Sequence, residues 1–255
     1  MAPVLLHRRG RALIATLNRP EAHNALDGAT LDGLEGALDG AEADTGLRAL
    51  VIAGQPGVFC TGTDFTAAGA APADAGALAA AAGRVYRLLA RFAKSRSVIV
   101  CAIDGRTQAG GMGLAAACDY VLCSPRSGFG LPEVRLGLVP AVVLPFLVQR
   151  IGWQRAYALT LTARTLDAAE ARTQGLVDEI DADGERLRHL LLGLDRTPAQ
   201  ALEAAKRYAQ ALRPPLAASE GQAVARITSL LADPATLATI RELQHHGLWQ
   251  QGGGA

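Results

Sequence analysis

The stretch Val98-Ile-Val-Cys-Ala-Ile-Asp-Gly-Arg-Thr-Gln-Ala-Gly-Gly-Met-Gly-Leu-Ala-Ala-Ala117 changes character within a short span. It opens on Val98 to Ile103, which is brief, β-branched and apolar, and is bounded by Ser97 and Asp104; that reads as a buried strand. It then passes through the glycine-rich junction Ala109 to Gly113 and closes on an alanine run that predicts a helix. Arg11 to Leu17, Ala49 to Ala53 and Tyr120 to Cys123 read as strands for the same reasons. Between the first two, Leu31, Leu34, Leu38 and Ala41 recur at helical spacing and predict an amphipathic helix. Strands alternating with helices predict an α/β sheet.

The last third of the chain carries a different pattern. Asp167-Ala-Ala-Glu170 is a capping-box sequence with Gly175 placed as a stop, and Thr197-Pro198 and Asp233-Pro234 each read as an N-cap followed by proline at the first helical position. No convincing strand lies among them. The expected organisation is therefore a sheet-containing core over residues 1–182 and an all-helical region over residues 183–255.

Composition narrows the function classes. The 255 residues can bury a sizeable core. Half are hydrophobic, yet they come in blocks such as Val98 to Ile103 and Val142 to Val148, well short of the roughly 18 apolar residues that a membrane span needs. Met1 to Arg9 has no apolar stretch of signal-peptide length, so a cytoplasmic location is expected. The four cysteines, Cys60, Cys101, Cys118 and Cys123, form no C-x-x-C pair and have no histidine at zinc spacing, which predicts buried thiols rather than a disulfide framework or a metal site. Lys plus Arg is 25 against 24 for Asp plus Glu, and aromatics are 4%, so neither the positive field nor the stacking platforms that nucleic acid requires are expected.

Three segments could carry chemistry: Phe59-Cys-Thr-Gly-Thr-Asp64, Ala109-Gly-Gly-Met-Gly113 and Phe129-Gly-Leu-Pro-Glu133. Glycine-rich backbone at a strand-to-helix junction leaves N–H groups free for a ligand, and the helix that starts there adds partial positive charge. Two such junctions together can bind one oxyanion, such as the enolate oxygen formed when a thioester loses its α-proton, and a nearby carboxylate can take that proton. Taken singly, each feature has a plainer reading: turn glycines, Asp64 as a cap or turn residue, Glu133 as a solvated first-turn acid. Gly111-Met-Gly113-Leu-Ala-Ala116 also fits the dinucleotide fingerprint G-x-G-x-x-A, but Asp104 to Gly110 stands between the predicted strand and its first glycine, against that reading. No G-x-S-x-G elbow exists. Residue types and spacing alone leave the function open.

The ordered set of motifs goes further. Asn18-Arg-Pro20, Asn24-Ala-Leu26, Phe59-Cys-Thr-Gly-Thr-Asp64, Ala109-Gly-Gly, Cys118-Asp119, Phe129-Gly-Leu-Pro-Glu133, Leu136-Gly-Leu, Ala168-Ala-Glu-Ala171 and Gly175-Leu-Val177 together resemble the enoyl-CoA hydratase/isomerase, or crotonase, superfamily over nearly the whole chain. The resemblance implies an α/β spiral of ββα units followed by a C-terminal helical trimerisation region, and a homotrimer or hexamer. It implies an acyl thioester substrate carried on coenzyme A or on the phosphopantetheine of an acyl carrier protein, with no further cofactor. Carried over residue by residue, the backbone N–H groups of Thr63 and Gly110 would be the oxyanion donors and Glu133 the acid/base at C2. The departure is Gly113, where typical hydratases of the family carry a second catalytic glutamate.

Family members whose lone glutamate stands at the Glu133 position include enoyl-CoA isomerases. A nearer likeness is to the dehydratases of polyketide β-branching cassettes, in Phe59-Cys-Thr-Gly, Ala109-Gly-Gly-Met-Gly-Leu114 and Leu138-Val-Pro-Ala-Val-Val-Leu-Pro-Phe-Leu147. That likeness implies conversion of 3-hydroxy-3-methylglutaryl-carrier protein to 3-methylglutaconyl-carrier protein. The alternatives are an enoyl-CoA isomerase, an enoyl-CoA or methylglutaconyl-CoA hydratase and, from another class, a non-catalytic thioester-binding or scaffolding homologue. Tyr86, on the helical stretch that lines the acyl pocket in this family, is read as a half-buried packing residue and left out of the site.

Overall fold

The computed structural model describes residues 2–62 and 75–245. In chain order the first half contains β1 (Val4–Arg9), β2 (Ala12–Leu17), α1 (Gly28–Ala43), β3 (Ala49–Ala53), β4 (Val58–Cys60), α2 (Ala75–Lys94), β5 (Val98–Ile103), β6 (Arg106–Gln108) and α3 (Gly110–Ala117). There follow β7 (Tyr120–Cys123), β8 (Gly128–Gly130), α4 (Leu144–Ile151), α5 (Trp153–Thr162), β9 (Thr165–Leu166), α6 (Ala168–Thr173) and β10 (Glu179–Ile180). The chain then continues through α7 (Glu185–Asp195), α8 (Ala199–Ala211), α9 (Ala217–Leu231) and α10 (Pro234–His245).

Two sheets share the strands. A six-stranded sheet runs β1-β2-β3-β5-β7-β10, and a four-stranded sheet runs β4-β6-β8-β9. From β3 onward each repeat places one strand in the large sheet and the next in the small one, then adds a helix: β3-β4-α2, β5-β6-α3, and β7-β8 followed by a 3-10 turn (Glu133–Leu136) and α4. This is the ββα spiral that the resemblance implies. Beyond β1, which pairs antiparallel with β2, the large sheet is parallel and covered on both faces. Leu50, Ile52, Ile99 and Cys101 point into the main core with Leu34 and Phe59, whereas Val51, Val100 and Leu122 meet Leu187, Leu190 and Leu194 of α7. Covering on both faces explains why β3 and β5 read as unbroken apolar runs.

The helix signals are met unevenly. Asp167 and Glu170 form the full capping box, Glu170 N–H donating to Asp167 at 2.8 Å and Asp167 N–H to Glu170 at 3.1 Å. Asp233 accepts from the Thr236 N–H at 3.1 Å, and Pro234 opens α10 as its spacing predicts. Thr197 departs from its expected role. The Thr197 hydroxyl donates backward to Gly193 O at 3.0 Å, at the end of α7, and Pro198 takes the cap position of α8. The short link between α7 and α8 leaves that threonine to the preceding helix. All four cysteines are buried free thiols. Among the described residues no helix is long and apolar enough to cross a membrane.

Candidate active site

The small sheet positions the site. β4, β6 and β8 are adjacent and parallel, with Cys60 beside Thr107, Thr107 beside Phe129, and Gln108 beside Gly130. β6 and β8 pair in register and β4 joins β6 through a bulge between Val58 and Cys60, so the parallel strands end at the same edge and the three segments singled out in the sequence emerge side by side as Thr61–Gly62, Ala109–Gly110 and Leu131–Glu133. The sequence reading runs Asp104 to Gly110 as one connecting stretch, but Arg106–Gln108 is a strand of the second sheet, and the glycines follow it closely. A strand of three residues has no periodicity to read; only the turn glycines that precede it, Gly57 before β4 and Gly105 before β6, mark its place.

The first two junctions touch. Gly62 has φ +95°, and a Cβ there would lie 2.6 Å from the Ala109 Cβ and 2.8 Å from the Gly110 nitrogen, so only glycine fits. Its carbonyl accepts from the Leu26 N–H at 2.7 Å, which fixes the end of β4 to the Asn24–Leu26 motif. Thr63, the expected first oxyanion donor, lies outside the described residues, as does Asp64.

Ala109 holds an unusual conformation, φ 47° and ψ −117°, which costs a residue with a Cβ of order 1–3 kcal/mol. Its N–H donates to Gly130 O at 3.2 Å, and its carbonyl accepts from Met112 and Gly113 at 2.9 and 3.3 Å, so both neighbouring elements enforce it. The consequence is that Gly110 opens α3 with an N–H that has no acceptor among the described residues, at the positive end of a fully buried helix.

Glu133 starts the 3-10 turn and is only 6% exposed. Its Oε2 is buried without a hydrogen-bond partner among the described residues. Burial pushes its carboxyl up to about 7, against the smaller opposing pull of its own backbone N–H. Glu133 and Gly110 border one cavity of about 710 Å³, whose wall is otherwise almost wholly apolar: Leu26 and Leu31, the first turns of α2, Leu138 to Val143, and Ile227 and Leu231 of α9. The other charged groups on that wall are engaged, Asp27 by Arg19 at 2.9 Å and Arg84 by Glu35 at 2.7 Å. The stretch Leu138 to Leu147, distinctive in the sequence, thus supplies wall residues through Val143 before α4 begins.

Gly113 does not border the cavity. A Cβ at Gly113 would sit 2.9 Å from Leu89 Cδ1 and 3.1 Å from Val143 Cγ2, so the space for a second carboxylate is filled by two apolar side chains. Tyr86 is fully buried rather than half-buried. Its hydroxyl donates to Leu216 O at 2.5 Å and its ring lies 5.1 Å from that of Phe146, which ties α2 to the start of α9. Among the described residues no group of three or more His, Cys, Asp or Glu could hold a metal ion. A helix-start N–H without an acceptor among the described residues and a buried carboxylate on one mostly apolar cavity are fit to polarise a carbonyl and move a proton beside it.

A ββα spiral with this pairing of backbone donor and buried carboxylate defines an acyl-thioester enzyme, and the chain belongs to the enoyl-CoA hydratase/isomerase family, which its sequence matches over residues 9–242. It is a crotonase-family lyase of the hydratase/dehydratase type. The chain is 30% identical to the bacillaene synthase dehydratase PksH of Bacillus subtilis over 220 residues, 86% of this chain and 85% of the relative. It is 31% identical to the 2,3-dehydroadipyl-CoA hydratase of Escherichia coli, over 97% of this chain and 94% of that one. The crystal structure of B. subtilis PksH superposes with a TM-score of 0.86 at 27% identity, over 94% of this chain and 96% of the other. An enoyl-CoA hydratase from Mycobacterium avium superposes with a TM-score of 0.87 at 27% identity, over 96% and 97%.

Proposed function

We propose that the protein dehydrates a branched 3-hydroxyacyl thioester, 3-hydroxy-3-methylglutaryl on an acyl carrier protein, to the 3-methylglutaconyl thioester in polyketide β-branching. The observation that carries the reading is the lone buried carboxylate of Glu133 at a cavity where position 113 is closed by Leu89 and Val143. The similarity to a bacillaene synthase dehydratase supports the pathway.

In this mechanism the thioester carbonyl oxygen takes the Gly110 and Thr63 N–H groups, and the Glu133 carboxylate removes the C2 proton. The electron pair of the broken C–H bond moves onto the carbonyl oxygen as an enolate, held by the two donors. Return of that pair forms C2=C3 and expels the C3 hydroxyl, which leaves as water with the proton Glu133 has just taken. The carboxylate is regenerated, and no second acid is needed. A scaffolding homologue would gain nothing from a buried carboxylate with so few hydrogen-bond donors, which is costly to keep. An isomerase shares the one-carboxylate logic, moving the proton from C2 to C4.

The deciding measurement is mass spectrometry of the pantetheine arm. Carrier-bound 3-hydroxy-3-methylglutarate is expected to lose water with a higher kcat/KM than its coenzyme A thioester, because carrier contacts around the cavity mouth add affinity and steering that free coenzyme A cannot supply. Crotonyl-CoA is expected to be hydrated poorly. Rapid crotonyl-CoA hydration, or fast 3-enoyl-CoA isomerisation with no reaction on the carrier-bound acid, would replace this reading with one of its rivals.

A further inference from the structure

The turn that carries Glu133 is not held by the spiral alone. Leu136 within it and Leu138 just beyond it are buried in a separate apolar cluster with Leu231 of α9 and Ile240 of α10, and Leu78 and Ile227 pack against that cluster. Leu78, Leu138, Ile227 and Leu231 also line the cavity, so the side chains that seat the C-terminal helices on the turn are part of the wall. The turn is closed by Leu138 N–H donating to Glu133 O at 3.0 Å and Gly137 N–H to Val134 O at 3.2 Å. A Cβ at Gly137 would lie 3.5 Å from Thr236 Oγ1, and the N–H and hydroxyl of the buried Thr236 both donate to Asp233, at 3.1 and 2.9 Å. The capped first turn of α10 therefore rests directly on the residue that ends the Glu133 turn. On its other side α9 is tied down through Tyr86 and through the ion pair of Arg87 with Glu220 at 2.9 Å.

We propose that α9 and α10 are working parts of the chain's own active site: Leu231 and Ile240, clamped on the Leu136–Leu138 segment, are positioning residues that keep water from Glu133 and fix its carboxylate at the cavity. The inference rests on Glu133 being the acid/base of the proposed reaction. Nearby charge is a weak competitor as the cause of its dryness. Asp27 and Arg84 on the cavity wall are already paired, Arg135 lies in the turn itself, Asp233 just before α10 accepts from Thr236, Glu242 of α10 is exposed, and Arg155 of α5 donates to Gln174 O at 3.0 Å. What surrounds the carboxylate is chiefly hydrocarbon, and the C-terminal helices supply a share of it.

The test reads Glu133 itself. Its protonated carboxyl stretch is followed by infrared difference spectroscopy against pH and assigned by its loss in Glu133→Gln. In Ile240→Ala the midpoint is expected to fall by about one pH unit from the wild-type value as water reaches the turn. Exchange of the thioester α-proton with D2O, which needs only the base, is expected to slow by about tenfold. Glu242→Gln, exposed on the same helix, is expected to leave both unchanged. Should Ile240→Ala fail to fold, Ile240→Val makes the smaller cavity and is expected to move the midpoint in the same direction. An unmoved midpoint in a folded Ile240 variant overturns the inference, whatever the turnover. A moved midpoint with undiminished exchange in Glu133→Gln would instead overturn the acid/base role and leave the positioning intact.

Discussion

Glu133→Gln keeps the shape of the side chain and removes its charge, and the two consequences run in opposite directions. Turnover is expected to fall by about 10²-fold or more with little change in substrate affinity, since general acid–base groups contribute on that scale; single-turnover kinetics with a separate binding measurement check this. Stability is expected to move the other way. The carboxyl sits at about 7 in the fold against 4.5 in the unfolded chain, so the native state holds the proton more tightly. Stability is therefore full below the unfolded value and is lost as pH rises through about 7, by about 3 kcal/mol for a shift of this size. Denaturant melts at about pH 5 and about pH 8.5 are expected to show wild type weakening at the higher pH while Glu133→Gln does not. Equal pH dependence in the two proteins would contradict the dry carboxylate. With Glu133 as the base of the proposed reaction, activity is expected to rise through pH about 7, as the carboxylate form appears.

Gly110 and Lys206 are where single residues decide how whole elements behave. Gly110→Pro removes the N–H at the start of α3 without extending the main chain, and loss of an oxyanion donor costs about 3–4 kcal/mol of transition-state stabilisation, roughly 10²- to 10³-fold in kcat. A Cβ there would meet Gly62 Cα and Leu26 Cδ1, each at 3.1 Å, so Gly110→Ala, which keeps the N–H, is the control for crowding. Equal activity in folded Gly110→Pro and Gly110→Ala would remove this donor from the mechanism. Lys206 fastens α8 to the sheet: its ammonium, 8% exposed, donates to Asp119 at 2.6 Å, to Phe92 O at 2.9 Å and to Ser97 O at 3.0 Å, while Asp119 accepts from the Ile99 N–H at 2.7 Å. Burial holds the Asp119 carboxyl above its ordinary value, and Lys206 opposes part of that rise. Lys206→Met strands this carboxylate and is expected to cost about 3 kcal/mol or more in urea melts. Adding Asp119→Asn is expected to recover part of the loss, and no recovery would mean that the pair is not coupled.

At the scale of the molecule, α5 leaves Trp153, Tyr157 and Leu161 exposed at a spacing of one helical turn each, with the two rings stacked at 4.8 Å. An exposed apolar strip of this kind is where a contact between copies is expected, and the resemblance implies trimers or dimers of trimers, so sedimentation is expected to give a multiple of three chains. A monomer at micromolar concentration would contradict it. The sequence by itself was enough for the α/β class, for β3, β5 and β7 residue for residue, for the capping box of α6, and for picking out Glu133 and the Ala109–Gly110 junction, which the fold brings to one cavity. Those features are written in local terms, as apolar runs, caps and glycines, which each few residues display on their own. The small sheet was not legible, because β4, β6 and β8 are each three residues long and owe their existence to one another across the register. The dryness of Glu133, the filled space at Gly113 and the cavity wall made by α9 were decided by tertiary structure alone. Burial is a sum over side chains far apart in the chain, Leu89 with Val143 and Leu138 with Leu231, and no local window of sequence contains both members of such a pair.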